Sequence, residues 1–360
     1  MQGGNVNTGK RSGPTRRATL AELSEHLGIS KPTLSRALND YPDIAEATKK
    51  RVRAAAEELG YKASSRARQL TSGRAEAIGL VTSMNNQGLR SAYQSEFTNA
   101  LALALADLGH DLLLHAIDDP AKEVEAYQRL AQEGKVDGFI VMRTRDKDPR
   151  IAFLKNRGIP FVAQGRFESD HSQAWLDVDT EHGFAQITHH LIELGHTKIA
   201  FLSGDPEIYT SRHRYAGVSR GLKQAGLDFA EVFDGDFSAE AGRRAIKTAY
   251  AGNPNFTALI CANDAMAMGA VSAAGELGIS VPDDMSITGY DGVRLAEMFN
   301  PPITTLSHSA ADCGAAMASM IVGLIGGKNP IGLQRLVTPV LIQRGSTSPP
   351  KGLTKTEETP

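Results

Sequence analysis

Cysteine is almost absent from this chain: Cys261 and Cys313 are the only two in 360 residues, and both sit among apolar neighbours. Neither has a spacing that would build a zinc site, a redox pair or a disulfide framework, so both read as buried thiols in a reducing compartment. No apolar run reaches the roughly 18 residues that cross a bilayer, and MQGGNVNTGKRSGPTRRATL at the N-terminus lacks the apolar core of a secretory leader. A cytoplasmic protein with no membrane partner is expected. Also missing are a nucleophile elbow, a phosphate loop and a metal-spaced His/Cys set. His189 and His190 are adjacent on a predicted helix and point in different directions, so they make no metal site. The expectation is a protein that is not an enzyme and needs no cofactor or metal.

What is present is ordinary in bulk and uneven in distribution. Apolar residues make up 41% and charged residues 22% of the chain, globular usage, and 360 residues suit two or three domains. The net charge of −2 hides an asymmetry: residues 1–74 hold 14 Lys/Arg against 7 Asp/Glu, and the remainder 25 against 34. A basic head on an acidic body attracts polyanions, nucleic acid first, because each neutralised phosphate releases condensed counterions. A merely solvated basic surface is the alternative.

The texture along the chain sets the domains. Residues 1–18 read as a disordered tail. Residues 19–62 carry three helical patterns, Leu20 to Leu27, Lys31 to Leu38 and about Glu46 to Leu59. Residues 63–75 read as a linker or a marginal helix. From 76 to 345, short apolar runs (Ala77 to Val81, Asp111 to Leu114, Gly138 to Met142, Phe161 to Ala163) alternate with amphipathic stretches such as Phe97 to Leu108. The alternation restarts at Lys198 to Leu202 and continues with Ala258 to Cys261 and Ser286 to Tyr290. This is βαβ patterning, and it predicts two lobes, each a parallel sheet with flanking helices. Residues 346–360 read as a second disordered tail.

TLAELSEHLGISKPTLSRALND, residues 19–40, is the most specific segment. Leu20, Leu23, Leu27, Ile29, Leu34 and Leu38 would pack two helices across a turn at Gly28. Ser30 is placed to cap the second helix and Pro32 is tolerated in its first turn. The second helix then presents its N-terminal part to a major groove, as a helix-turn-helix requires. Arg36 is the candidate for bidentate pairing with guanine, worth about 1 to 3 kcal/mol of discrimination. Lys31 reads a base edge or touches phosphate. Thr19, Ser30, Thr33, Ser35 and Asn39 complete the polar face, the hydroxyls suiting phosphate positioning. A three-helix bundle that binds protein is the competing reading. Ala45 stands where a capping hydroxyl is expected before the third helix, with Asp43 the only nearby substitute, so fraying is expected there.

This segment, with AEATKKRVRAAAEELGY and the linker, resembles the lactose-repressor/galactose-repressor (LacI/GalR) family of bacterial regulators, and the likeness continues to about Arg344. The resemblance implies a helix-turn-helix headpiece joined by a hinge to a two-lobed, periplasmic-binding-protein-like domain. It implies that Lys31 and Pro32 select the operator and that Arg36 reads it. In SSRARQLTSGR it implies a hinge helix in which Leu70 wedges into the minor groove, Ala67 allows close approach of a second hinge, and Arg66 faces phosphate. On the residues alone, Leu70 is equally a packing residue of a linker.

Two α/β lobes invite a ligand between the carboxyl ends of their strands. Arg214, Asn263, Asp264 and Asp291 match positions where the family holds its effector, and their bidentate side chains suit vicinal sugar hydroxyls. Phe237 resembles the family's ring-stacking aromatic, with a core phenylalanine as the alternative. Arg143 and Arg166 follow predicted strands and enter the crevice or face solvent. Trp175 packs or touches ligand, and Asp179 caps the next helix. MRTRD, AQGRF and WLDVD resemble members that serve α-glucosides, whereas other members take purines, so a purine or a sugar phosphate acting as corepressor stays open. A periplasmic sugar binder would share the lobes but has no use for residues 19–74. The expected whole is a homodimeric repressor that reads an inverted repeat in double-stranded DNA and is released by a sugar.

Overall fold

Helical spacing alone puts Leu23, Leu34, Ala37 and Val52 on facing sides of three short helices, and all four are fully buried in one cluster. The computed structural model describes residues 18–61, 73–83, 91–167 and 172–351, and the chain divides into two units, Met1–Arg74 and Ala75–Pro360.

The first unit contains α1 (Leu20–Leu27), α2 (Lys31–Leu38) and α3 (Glu46–Glu58). Local chemistry fixes the ends. The Thr19 hydroxyl accepts from the Glu22 N–H while the Glu22 carboxylate accepts from the Thr19 N–H, so two orphan donors of α1 are satisfied. Gly28 ends α1 in the left-handed region at φ 64, which costs about 1 to 2 kcal/mol for a residue with a Cβ. Ser30 caps α2 by accepting from the Thr33 N–H. α3 starts without a side-chain cap, as its Ala45 foreshadows. The hinge residues Arg66, Ala67 and Leu70 lie outside the described residues.

Among the described residues, the second unit has two six-stranded sheets. The first takes β1 (Ala77–Ser83), β2 (Asp111–Ile117), β3 (Gly138–Val141), β4 (Phe161–Gln164), β5 (Ala174–Val178) and β11 (Gln334–Val337), in the order β11, β5, β4, β3, β1, β2. The second takes β6 (Ile199–Leu202), β7 (Glu231–Phe233), β8 (Ala258–Cys261), β9 (Ser286–Asp291), β10 (Thr304–Ser307) and β12 (Val340–Ile342), in the order β12, β10, β9, β8, β6, β7. All pairs are parallel except β10 with β12, a departure from two wholly parallel sheets. The chain crosses between lobes after β5, after β10 and between β11 and β12, and the last crossing brings β12 back in the opposite sense.

Helices cover both sheets. In the first lobe α4 (Ala92–Asp107) packs on α12 (Ala310–Ile325), and α5 (Glu123–Gln132) on α6 (Pro149–Asn156). In the second, α7 (Thr180–Glu193) packs on α8 (Tyr209–Gln224), and α9 (Ala239–Ala251) on α10 (Asp264–Glu276), with the short α11 (Arg294–Met298) beside α10. Strands β3, β6 and β8 are buried along their whole length, as parallel strands covered on both faces must be. Cys261 and Cys313 are buried free thiols, and burial pushes the Cys313 thiol up to about 11.

Residues 346–351 correct the expected tail. The fully buried Ser346 hydroxyl donates to the Ile287 carbonyl and accepts from the Thr304 N–H, and Ser348 exchanges hydrogen bonds with the Ser286 side chain. Polar composition concealed this, because every one of these serines is satisfied by a strand edge.

Candidate nucleic-acid interface and ligand cavity

In the headpiece, Leu34 and Ala37 turn inward, which leaves Lys31, Pro32, Arg36 and Asn39 exposed on the outer face of α2, with Thr33 and Ser35 half-buried between them. Ser30 Oγ and Thr33 Oγ1 lie 2.8 Å apart, and Asn39 Nδ2 donates to the Ser35 carbonyl at 2.9 Å, closing the helix. The face is a row of short donors around one guanidinium. Arg36 Nη2 pairs with Asp43 Oδ2 at 2.5 Å, and its Cζ lies 5.0 Å from the Tyr41 ring centroid. That hydrogen bond holds the Asp43 carboxyl below the ordinary range. Both side chains of the pair are half-exposed, so the contact is weak enough to be exchanged for a base edge. Sequence reasoning cast Asp43 as a substitute cap and missed its pairing with Arg36.

In the second unit, the carboxyl ends of the strands from both sheets converge on a cavity of about 120 Å³. Arg214 is its centre. It is presented by α8, its Nη1 donates to the Ala262 carbonyl at 2.6 Å, and its Cζ lies 4.3 Å from the Tyr290 ring and 5.4 Å from the Phe237 ring. Its Nε is buried without a hydrogen-bond partner, an unused charged donor at the cavity wall. Burial pushes the Asp291 carboxyl well above its ordinary range, with Arg214 opposing that shift. Asn263 caps α10 through Oδ1, which accepts from the Met266 N–H at 2.9 Å, and its Nδ2 donates to the Phe237 carbonyl at 3.0 Å. That bond fixes the Phe237 loop.

Backbone strain concentrates here. Among the described residues six non-glycine positions have positive φ, and Arg143 (54°), Phe237 (66°) and Asp291 (117°) are three of them. Each conformation costs about 1 to 3 kcal/mol and persists where the surroundings over-determine it, typically at a ligand clamp. Gly204 makes room for the Phe237 ring, since a Cβ there would lie 2.1 Å from Cζ.

Two expected contacts are corrected. Asp264 is 1% exposed and does not line the cavity. Its Oδ1 accepts from Thr305 Oγ1 at 2.6 Å and its Oδ2 from the Val293 N–H at 2.9 Å, while burial pushes it up to about 7. It joins α10 to β10 and α11. Arg166 is likewise off the wall. Its Nε donates to Asp177 Oδ2 at 2.7 Å and its Cζ lies 5.7 Å from the Trp175 ring, so Asp177 reaches the cavity in its place. Arg143, Arg214, Phe237, Asn263 and Asp291 are brought together as expected.

The sequence reading missed Tyr93, Gln164 and His308. Gln164 Nε2 donates to the Tyr93 hydroxyl at 3.1 Å, and the His308 ring stands between Tyr93 (4.9 Å) and Tyr290 (5.1 Å). Burial lowers His308 to about 3, so the ring is neutral at pH 7. No local signal marks these residues; they meet only because α4, β4 and the second crossing converge. Asp179 does cap α7, and His189 and His190 bond in different directions, to Gln224 and Thr347. GVSRG, residues 217–221, has the letters of a nucleophile elbow but lies inside α8, without the strand-to-helix turn that exposes such a serine.

The sequence profile described as bacterial regulatory proteins, lacI family, matches residues 19–64, and that of the periplasmic binding protein-like domain matches residues 188–347. The HTH-type transcriptional repressor PurR of Pectobacterium carotovorum is 34% identical over 336 residues, 92% of this chain and 97% of that protein. This chain belongs to the lacI family of bacterial regulatory proteins. The HTH-type transcriptional regulator AglR of Rhizobium meliloti is 33% identical over 336 residues, covering 92% and 94% of the two chains. Among solved structures, the lac repressor dimer bound to operator and the anti-inducer ONPF superposes with a TM-score of 0.80 at 26% identity. The transcriptional regulator CelR in complex with cellobiose superposes at 0.70 and 28%. Each alignment covers 92% of this chain and 100% of the other. The lacI-family assignment makes the chain a DNA-binding transcriptional repressor whose headpiece serves operator DNA and whose lobes serve a small-molecule effector. These relatives are transcriptional regulators, not enzymes. No described helix is long and apolar enough to cross a membrane.

Proposed function

We propose that this repressor acts in the cytoplasm as a homodimer, reads an inverted repeat, and is released from it by a small carbohydrate bound between its lobes. One observation carries the effector class: Phe237 lines the same cavity as Arg214, Asn263 and Asp291. A sugar has an apolar ring face, which stacks on an aromatic, and a rim of vicinal hydroxyls, which bidentate groups pair. A carboxyl held toward neutrality, as Asp291 is, both donates to and accepts from a hydroxyl. The cellobiose complex of CelR supports the same class. Within it, an α-glucoside is the first candidate, because the residues around Arg143, Arg166 and Trp175 resemble members of that kind.

Two-fold symmetry in the protein requires a matching operator. Lys31, Pro32 and Arg36 select its bases, while Thr19, Ser30, Thr33, Ser35 and Asn39 hold the phosphates, and Leu70 wedges the minor groove between hinges that meet at Ala67 with Arg66 on phosphate. Closure on the sugar favours a state with separated hinges, shifting an existing equilibrium.

The test is fluorescence anisotropy of the full chain on a labelled fragment of its own promoter, with competitor DNA at fixed salt. Maltose, trehalose, sucrose, hypoxanthine and guanine are then added. Release by a sugar is the expected outcome; tighter binding with a purine base overturns both the effector class and the direction of the switch. Arg36→Ala is the DNA control, expected to lose about 1 to 3 kcal/mol of sequence discrimination while keeping salt-dependent nonspecific binding.

A further inference from the structure

The loop between α2 and α3 is tied to both helices. Asp40 sits in it in the left-handed region at φ 59, and its carboxylate pairs with Arg53 Nη2 at 2.6 Å and Lys49 Nζ at 3.5 Å, both on α3. The Tyr41 N–H donates to the Arg36 carbonyl at 3.1 Å at the end of α2, and the Ile44 N–H donates to the Tyr41 carbonyl at 3.3 Å. Asp43 therefore projects from a backbone held on both sides. The start of α3 has no side-chain cap, so the Asp43 carboxylate serves Arg36 and not the helix end.

Arg36 is thus engaged twice, by the Tyr41 ring and by Asp43. A guanidinium offers a guanine edge two forks, Nη1 with Nη2 and Nε with Nη2, and Nη2 takes part in both. Asp43 Oδ2 meets Nη2 at 2.5 Å. One oxygen at that nitrogen covers one fork and leaves the other open to a base. An arginine on an exposed helix gives up rotamer freedom when it meets a base, and a guanidinium already stacked and paired has given up much of it beforehand. The carboxylate also offsets the charge of Arg36 and repels phosphate, so the DNA backbone gains less from this arginine than a guanine does.

We propose that Asp43 is a specificity-determining residue, which positions the Arg36 guanidinium for a guanine edge and keeps it from the phosphates. This rests on the base-reading role of Arg36 proposed above.

Two measurements on the full chain test it, each with the parent, Asp43→Ala, Asp43→Asn, Arg36→Ala and the Arg36→Ala/Asp43→Ala double variant. One is selection from a library of random-sequence duplexes, and the other is anisotropy on a labelled duplex of shuffled sequence between about 50 and 200 mM salt. Asp43→Ala is expected to relax a guanine preference at one position of the selected sequence about three- to tenfold. It should bind the shuffled duplex about two- to fivefold more tightly and steepen the log–log salt dependence by up to about 0.9 per headpiece. Asp43→Asn keeps an acceptor beside Nη2 without the charge, so it should match Asp43→Ala on the shuffled duplex and recover part of the guanine preference. In the Arg36→Ala background, Asp43→Ala should change base preference no further. A residue that only supported the fold would move neither the salt slope nor one base position alone, and circular dichroism establishes folding. An unchanged motif and salt slope in Asp43→Ala overturns the proposal. A sharper guanine preference does so too, since Asp43 would then compete with the base, as do effects on preference that persist without Arg36. A motif left unchanged by Arg36→Ala, or no enriched sequence with the parent, overturns the base-reading role of Arg36 itself.

Discussion

Arg214 is where effector recognition can be separated from DNA binding. Its guanidinium lies over Tyr290, donates one hydrogen bond to the Ala262 carbonyl and keeps a buried Nε without a hydrogen-bond partner, and on the proposed carbohydrate reading this guanidinium pairs with a ligand hydroxyl. A hydrogen bond to a charged group contributes about 1.5 to 3 kcal/mol. Arg214→Ala removes at least one such bond and also the cation that opposes the rise of the Asp291 carboxyl. A loss near 3 kcal/mol raises the sugar concentration for half-release about a hundredfold. Operator affinity without sugar should stay within about twofold, because Arg214 belongs to the second unit and the proposed base-reading face is on α2 in the first. The assay is the operator anisotropy titration, with circular dichroism to establish folding. Arg214→Lys keeps the charge but loses the planar fork, and should fall between parent and alanine. Half-release of Arg214→Ala at the parent's sugar concentration would show that this guanidinium does not touch the effector.

Two further substitutions examine the cavity and its support. Gly204→Ala places a methyl 2.1 Å from Phe237 Cζ, and the ring must move toward the cavity; sugar release is expected to weaken more than tenfold with operator binding retained, and unchanged release would show that the ring can yield elsewhere. Asp264→Asn concerns stability. Burial holds Asp264 at about 7 against 3.8 in the unfolded chain, so the folded state keeps a proton that the unfolded state has lost between those values. Its stabilisation is therefore full below about pH 4 and is lost as pH rises to 7. The unfolding free energy from urea titration should fall from pH 5 to 7 in the parent by about 2 kcal/mol more than in Asp264→Asn, whose amide stays neutral. Parallel slopes would show that Asp264 is ionised throughout this range.

The headpiece was legible because its signals are local. Thr19 with Glu22, Gly28, and Ser30 with Pro32 fix helix ends within four residues, and α1 and α2 begin and end where the pattern puts them. Strand β8 was legible for a different reason: Ala258–Cys261 is buried on both faces and reads as an unbroken apolar run. Strands β10, β11 and β12 were not singled out, since TTLS, QRLV and VLI are short or half-polar, and β11 and β12 gain their partners only after the chain has crossed between lobes.

The cavity was legible in composition and not in direction. Asn263 and Asp264 are neighbours with interchangeable sequence credentials for holding a sugar, yet only Asn263 reaches the cavity. As the extended cap of α10 it turns to the Phe237 loop, while Asp264, one residue later, is turned back against Gly289. A Cβ on Gly289 would stand 2.2 Å from Asp264 Oδ1, so the missing side chain of β9 provides the space for that carboxyl. The same holds for Arg143, Phe237 and Asp291, which face the ligand space from backbone conformations that non-glycine residues rarely adopt. Residue type states which chemistry is available at a strand end. Tertiary packing, which holds three strained residues against their local preference, decides which of those groups faces the ligand, and this is why effector specificity is harder to read than DNA binding in the same chain.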